Sequence, residues 1–188
     1  MSQINQSIMD TTIISSNNEI TDEEIQEYLS NPQGHERKGT DMTHFSATSF
    51  DDDEIFESTI TKRIVVYNFW YASCAPCIEE TPMLNALQKK YKDKADFIAV
   101  TFESRERIDE FLKNHPFTFK HVYMDRTNID LLELTMGYPT TLIVCDNKIV
   151  YYKYGGPSDK SSPYYEPMLK GMYKKYSEII EASLKSFE

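Results

Sequence analysis

The sequence has no apolar run approaching the ~20 residues that a membrane-spanning helix needs, so no transmembrane segment is expected. Its N-terminal stretch lacks the basic start and apolar core of a signal peptide. As written, the chain therefore reads as cytoplasmic, and as periplasmic if an N-terminal export signal is missing from it. Positive charge is scarce: 20 Lys and Arg stand against 30 Asp and Glu, a formal net charge of −10. That balance argues against nucleic acid and anionic membrane surfaces as partners. Cysteine is scarce too. Three cysteines leave one without a partner after any pairing, which disfavours a disulfide-stapled secreted scaffold. No internal repeat is visible. What remains, at 188 residues, suits one domain with an extension, large enough to bury a real core.

The chain is organised around residues 64–82. Residues 64–70 are apolar, β-branched and aromatic, the mark of a buried strand. After Tyr71, Ala72 and Ser73, the run Cys74, Ala75, Pro76, Cys77 opens a helical pattern with Leu84, Leu87 and Tyr91 on one stripe. Cysteines at this spacing lie about one turn apart and can close a disulfide. Cys74 faces the free N–H groups and positive dipole end of the helix, which stabilise a thiolate. Pro76 fits the first turn, where its missing N–H would have had no partner. The arrangement supplies a nucleophilic thiolate with a resolving thiol beside it. A static disulfide or half a zinc site would use the same pair, but Cys145 falls late in a strand and no His stands at ligand spacing.

With these residues the chain resembles the thioredoxin superfamily, and within it the TlpA/ResA-like thiol–disulfide oxidoreductases. The pattern N-F-W-x-x-x-C-x-P-C-x-x-E-x-P is met by Asn68, Phe69, Trp70, Cys74, Pro76, Cys77, Glu80 and Pro82. A second mark is Gly137, Tyr138, Pro139, Thr140 and Thr141, which is similar to the cis-proline loop facing the CxxC in these folds. The resemblance covers residues 41–185. It implies an α/β, thioredoxin-like fold: a central mixed sheet flanked by helices, with an N-terminal β-hairpin and a central helix–strand insertion.

Taken in order, residues 1–40 read as a polar N-terminal extension, with the thioredoxin-like domain over 41–188. Thr21 and Glu24 make a capping box, with Ile20 and Ile25 placed for a hydrophobic staple. A short helix is expected near 21–30, in a solvated extension or, as the rival reading, a docking segment. Residues 45–50 and 55–56, around the acidic turn 51–54, read as the hairpin. That turn lacks the alternating ligands, central Gly and terminal Glu of a calcium loop. Residues 96–101 read as a strand, 105–114 as a helix capped by Ser104, and 117–123 as a strand. A short helix at 128–135 carries Leu131, Leu132 and Leu134. Residues 140–145 and 148–154 form a hairpin across Asp146 and Asn147. A long helix from 164 to 186 packs Leu169, Met172, Tyr176, Ile179, Ile180 and Leu184.

The chemistry implied is attack by Cys74 on a substrate disulfide and resolution of the mixed disulfide by Cys77. Glu80 lies one turn beyond Cys77, and in the resembled proteins the equivalent Glu is partly buried and tunes proton transfer. Asn68 stands where thioredoxin has a buried Asp, and an amide takes no proton, which favours Glu80 as acceptor. Glu79 reads as an ordinary exposed carboxylate and Cys145 as an inert thiol. Pro82 is expected to kink the helix. Trp70, Ser73, Ala75, Pro76, Tyr138 and Pro139 are the expected substrate-binding residues, with Ser73 departing from the more usual Trp. No cofactor and no metal is expected.

Neither Ala75 nor Pro76 offers a side-chain donor to the thiolate, which places the protein towards the reducing end. The span from thioredoxin to DsbA is about 150 mV, or about 7 kcal/mol. The implied partners are disulfide-containing proteins and an electron-donor thiol protein. Three other readings compete. A thiol peroxidase would need a Thr-x-x-Cys context that Cys74 lacks. A Cu(I) chaperone of the same fold would need a distant His ligand, and His115 and His121 carry no evident motif. A redox-inactive binding module would have no use for the cysteine pair.

Overall fold

The computed structural model describes residues 21–30, 37–42, 45–50, 61–133 and 135–188. Among the described residues five helices and six strands follow one another as α1 (Asp22–Ser30), β1 (Thr48–Ser49), β2 (Ile64–Phe69), α2 (Ala75–Tyr91), β3 (Asp96–Thr101), α3 (Arg105–Leu112), β4 (Lys120–Tyr123), α4 (Arg126–Leu131), β5 (Thr140–Cys145), β6 (Lys148–Tyr154) and α5 (Tyr165–Lys185). The strands form one mixed sheet in the order β1-β4-β3-β2-β5-β6. β2, β3 and β4 run parallel, and β5 lies antiparallel to β2. Between β3 and β5 the chain inserts α3, β4 and α4. The β5–β6 hairpin turns on Asp146 and Asn147, both at positive φ, as its two-residue loop demands. β1 pairs with β4; the turn and second strand of the expected N-terminal hairpin fall in residues 51–60, outside those described.

Period-two alternation in β2 divides the core. Ile64, Val66 and Trp70 face the layer holding α2 and α5, whereas Val65, Tyr67 and Phe69 face Phe45, Ile98, Val100 and Ile129 on the other side. Asn68 falls on the first of these faces by the same count. α2 therefore descends onto the face that carries Asn68, and this sets the position of the site.

Two expectations need correction. The helix near 21–30 exists with its capping box, Thr21 Oγ1 accepting from the Glu24 N–H at 3.2 Å and Glu24 Oε2 from the Thr21 N–H at 2.8 Å. The position of Ile20 lies outside the described residues. The helix is no solvated extension, however: Ile25 and Leu29 are 2% and 0% exposed, packed on α5. A methyl group built on Gly171 would come within 2.4 Å of Ile25 Cγ2. Gln26 Nε2 donates to the Gly171 carbonyl at 3.1 Å, and Tyr151 Oη to the Leu29 carbonyl at 2.8 Å.

The second correction is α4. Asp125 caps it by accepting from the Asn128 N–H at 3.1 Å, so it starts earlier than the sequence pattern indicated. The shift in phase buries Ile129 and leaves Leu131 and Leu132 exposed. The side chain of Leu134 lies outside the described residues.

Candidate active site: a cysteine pair above a buried carboxylate

Cys74 is the N-cap of α2, in extended backbone at φ −84° and ψ 101°. Its sulfur accepts the Cys77 backbone N–H at 3.3 Å. The first turn of α2 contains no acidic residue, so nothing else of negative charge competes there for the helix dipole. Cys74 and Cys77 are joined as a disulfide, with Cα atoms 5.2 Å apart. Both are buried, at 3% and 2% exposed. The turn before them is held by Glu103, whose Oε2 accepts the Ala72 N–H at 2.6 Å.

One turn further along α2 from Cys77 lies Glu80, 1% exposed. Asn68 Nδ2 donates to Glu80 Oε1 at 2.7 Å and to Thr141 Oγ1 at 3.1 Å. Burial pushes the Glu80 carboxyl up, to about 7, against the opposing pull of the Lys153 charge and the Asn68 bond. A carboxyl so placed can hold or release a proton near neutrality.

The loop at Pro139 faces the same site. The Tyr138–Pro139 peptide bond is cis, and the Pro139 carbonyl accepts the Gly155 N–H at 2.7 Å. A methyl group built on Gly156 would lie 3.2 Å from Glu80 Oε2, 3.6 Å from Pro139 Cγ and 3.8 Å from the Pro76 carbonyl oxygen. Gly156 thus marks the point where α2, the proline loop and the β6–α5 connection converge.

The remaining expected site residues divide. Ser73 and Ala75 are exposed and Pro76 and Tyr138 half-buried around the cysteines. Trp70 is not part of that surface. It is 1% exposed and packs on Phe111, Phe117 and His121, each with ring centroids 5.4 Å away. Pro82 lies inside α2. Cys145 is a free, half-buried thiol whose pKa burial raises.

Glu79 is no ordinary exposed carboxylate either. It accepts from Tyr165 Oη at 2.5 Å and pairs with Lys160 Nζ at 2.9 Å. Burial alone would raise its pKa, yet these two partners outweigh that and lower it.

Three contributors escaped the sequence reading. Tyr71 and Phe102 pack with Tyr138 in a half-buried triad, ring centroids 5.3 to 5.7 Å apart, beside the proline loop. The third, Lys153, is 4% exposed, and its alternation with Tyr151 on an inward face was the signal available. Among the described residues no group of three potential metal ligands occurs. His121 lies in the core with a ring nitrogen 3.0 Å from the Phe117 carbonyl, and His115 stacks on Phe111, so neither serves the cysteines as the copper reading required.

A strand, a CxxC-capped helix and a facing cis-proline loop on one mixed sheet define a thioredoxin-fold dithiol oxidoreductase. More particularly, the chain belongs to the Redoxin family, whose profile matches residues 37–169. It is 29% identical over 118 residues to the thioredoxin-like protein YneN of Bacillus subtilis, covering 61% of this chain and 69% of that one. To the thiol-disulfide oxidoreductase ResA of Bacillus cereus it is 28% identical over 116 residues, covering 60% of this chain and 66% of that one. The fold is shared with the thioredoxin domain of a thiol-disulfide oxidoreductase from Bacteroides vulgatus, at a TM-score of 0.56 and 19% identity, covering 73% and 96% of the two chains. Dithiol redox chemistry at the Cys74–Cys77 pair is the activity. No helix among the described residues is long and apolar enough to cross a membrane.

Proposed function

We propose that the protein reduces disulfides in other proteins. Cys74, as thiolate, attacks one sulfur of the substrate disulfide; that S–S bond breaks and the other substrate sulfur leaves as a thiolate. Cys77 then passes its proton to the Glu80 carboxylate and attacks Cys74 Sγ, releasing the second substrate sulfur. The enzyme is left as the Cys74–Cys77 disulfide and regains two electrons and two protons from a donor dithiol protein. Tyr138 would pair its backbone with an extended substrate segment, which Ser73, Ala75, Pro76 and Pro139 flank.

The observation that carries this reading is the acceptor role of Cys74 Sγ at the N-cap, on the same helix as a buried, ionisable Glu80 one turn beyond Cys77. The reducing direction rests on Ala75 and Pro76, whose side chains give no hydrogen bond to the thiolate. Insulin reduction driven by dithiothreitol tests it: wild type should precipitate insulin chains and Cys74→Ser should not. Tight Cu(I) binding by a wild-type protein inactive on insulin would replace this reading with the chaperone.

A further inference from the structure

Among the described residues, the buried positions include a single carboxylate, Glu80, and a single ammonium, Lys153. They arise on different elements but converge. The sheet register sets Asn68 opposite Thr141 and Thr141 opposite Lys153, a row across β2, β5 and β6. Asn68, at one end of that row, already holds Glu80. From the other end, Lys153 Nζ donates to the Gly155 carbonyl at 2.5 Å and the Tyr154 carbonyl at 3.3 Å. The residue that follows is Gly156, which lies against Glu80 Oε2. Carbonyl bonds satisfy an ammonium's donors but not its charge, and a lysine is almost never buried without a counter-ion.

We propose that Lys153 is a positioning residue for disulfide exchange, supplying the counter-charge to the Glu80 carboxylate and pinning the Gly155–Gly156 segment against it. The inference rests on the reading of Glu80 as the proton acceptor of Cys77. Another group acting on Glu80 is the Tyr176 hydroxyl from α5, whose pKa burial raises well above its ordinary value; the two cysteines share α2 with Glu80. Asn68 and Thr141 are neutral. Of the charges around Glu80, Lys153 is thus the one that favours the carboxylate over the carboxylic acid, while burial disfavours the charge on Lys153 itself and Glu80 restores it. Lys153 also lines a cavity of about 470 Å³ shared with Tyr28, Gly155, Gly156, Tyr165 and Met168.

The test follows the second step alone. Reduced full-length protein is mixed with 5,5′-dithiobis(2-nitrobenzoate), so that Cys74 forms a mixed disulfide, and release of the second coloured thiolate by Cys77 is timed across pH. Glu80→Gln should remove the limb of the profile that belongs to Glu80. Lys153→Met should keep that limb but move it to higher pH, slowing release at neutral pH about tenfold per unit moved. Lys153→Arg should return it towards wild type. Added to Glu80→Gln, Lys153→Met should change the profile no further. A Lys153→Met profile that overlays wild type while Glu80→Gln differs overturns the role of Lys153 alone. A Glu80→Gln profile that overlays wild type overturns the Glu80 reading and this inference with it. Should Lys153→Met not fold, carbon-13 and nitrogen-15 resonances of the Glu80 carboxyl and Lys153 ammonium in wild type decide: joint titration supports the pair, independent titration refutes it.

Discussion

The Asn68 side-chain amide donates to Glu80 Oε1 at 2.7 Å, joining the central strand to the cysteine helix one turn below Cys77. An amide at this place fixes the carboxylate without competing for its proton. Glu80 is thereby held still while its charge remains free to change, which is what a proton acceptor for a neighbouring thiol requires.

The order of the cysteines along α2 gives the first prediction. Cys74→Ser should abolish reductase activity, and Cys77→Ser should accumulate mixed disulfides detectable by mass spectrometry. In the reduced protein at neutral pH, iodoacetamide should label Cys74 first, because its sulfur receives the Cys77 N–H and the helix dipole. Faster labelling of Cys77 would reverse the assignment.

Glu80→Gln should lower the apparent pKa of Cys74, because a neighbouring negative charge is removed. Wild-type Glu80, raised to about 7, becomes an acceptor as pH climbs through that value, so resolution by Cys77 should accelerate there and the variant should lose the acceleration. Thiolate absorbance measures the first effect and stopped-flow resolution the second. Asp93→Asn, exposed just beyond α2, is the control, and an equal change in it would mean the effect is not local.

Glu79→Gln should act on stability and leave the Cys74 pKa alone. It weakens the bond from Tyr165 and the pair with Lys160, at a cost of ~1–2 kcal/mol by denaturant unfolding. Because the folded pKa of Glu79 lies below its ordinary value, its contribution is complete above about pH 4.3 and fades as pH falls through the lowered pKa. The difference between wild type and variant should shrink accordingly in acid, and a difference that grew would contradict the assignment.

Gly171→Ala separates helix propensity from packing. Propensity alone favours Ala over Gly within a helix by ~1 kcal/mol. Yet a methyl at this place meets Ile25 at 2.4 Å, so the variant should be destabilised and α1 displaced. Hydrogen exchange should rise at Ile25–Leu29, and a stabilised variant would show that α1 does not dock there.

Where residues carried both a period and a punctuation mark, the structure was readable in advance. The strand before Cys74, the helix after it and the Asp146–Asn147 turn all had such marks, whereas the Pro139 loop was legible through the family resemblance. Trp70 did not: its nearness to Cys74 along the chain resembled nearness in space, whereas strand alternation turned it inward beneath α3. Lys153 was hidden by its charge, since a lysine on a strand reads as solvent-facing until the register places it opposite Thr141. Glu79 and Tyr165 meet across 86 positions of chain, and no local pattern announces such a pair. The docking of α1 was concealed for the same reason, Ile25 and Leu29 being too few to reveal what they would cover.

The family profile spans residues 37–169, beginning after α1 and ending within the first turns of α5. The portions it leaves out are the two that pack together. A shortened chain cut at those limits would lose Ile25 and Leu29 on one side and Met172, Tyr176 and Ile180 on the other. Tyr151, whose hydroxyl bonds to Leu29 and whose ring meets Tyr176, would be stripped from two directions. For expression, fusion or crystallisation the unit to keep therefore begins no later than Thr21 and runs through Lys185, since the cover over one face of the sheet is assembled from both ends of the described chain.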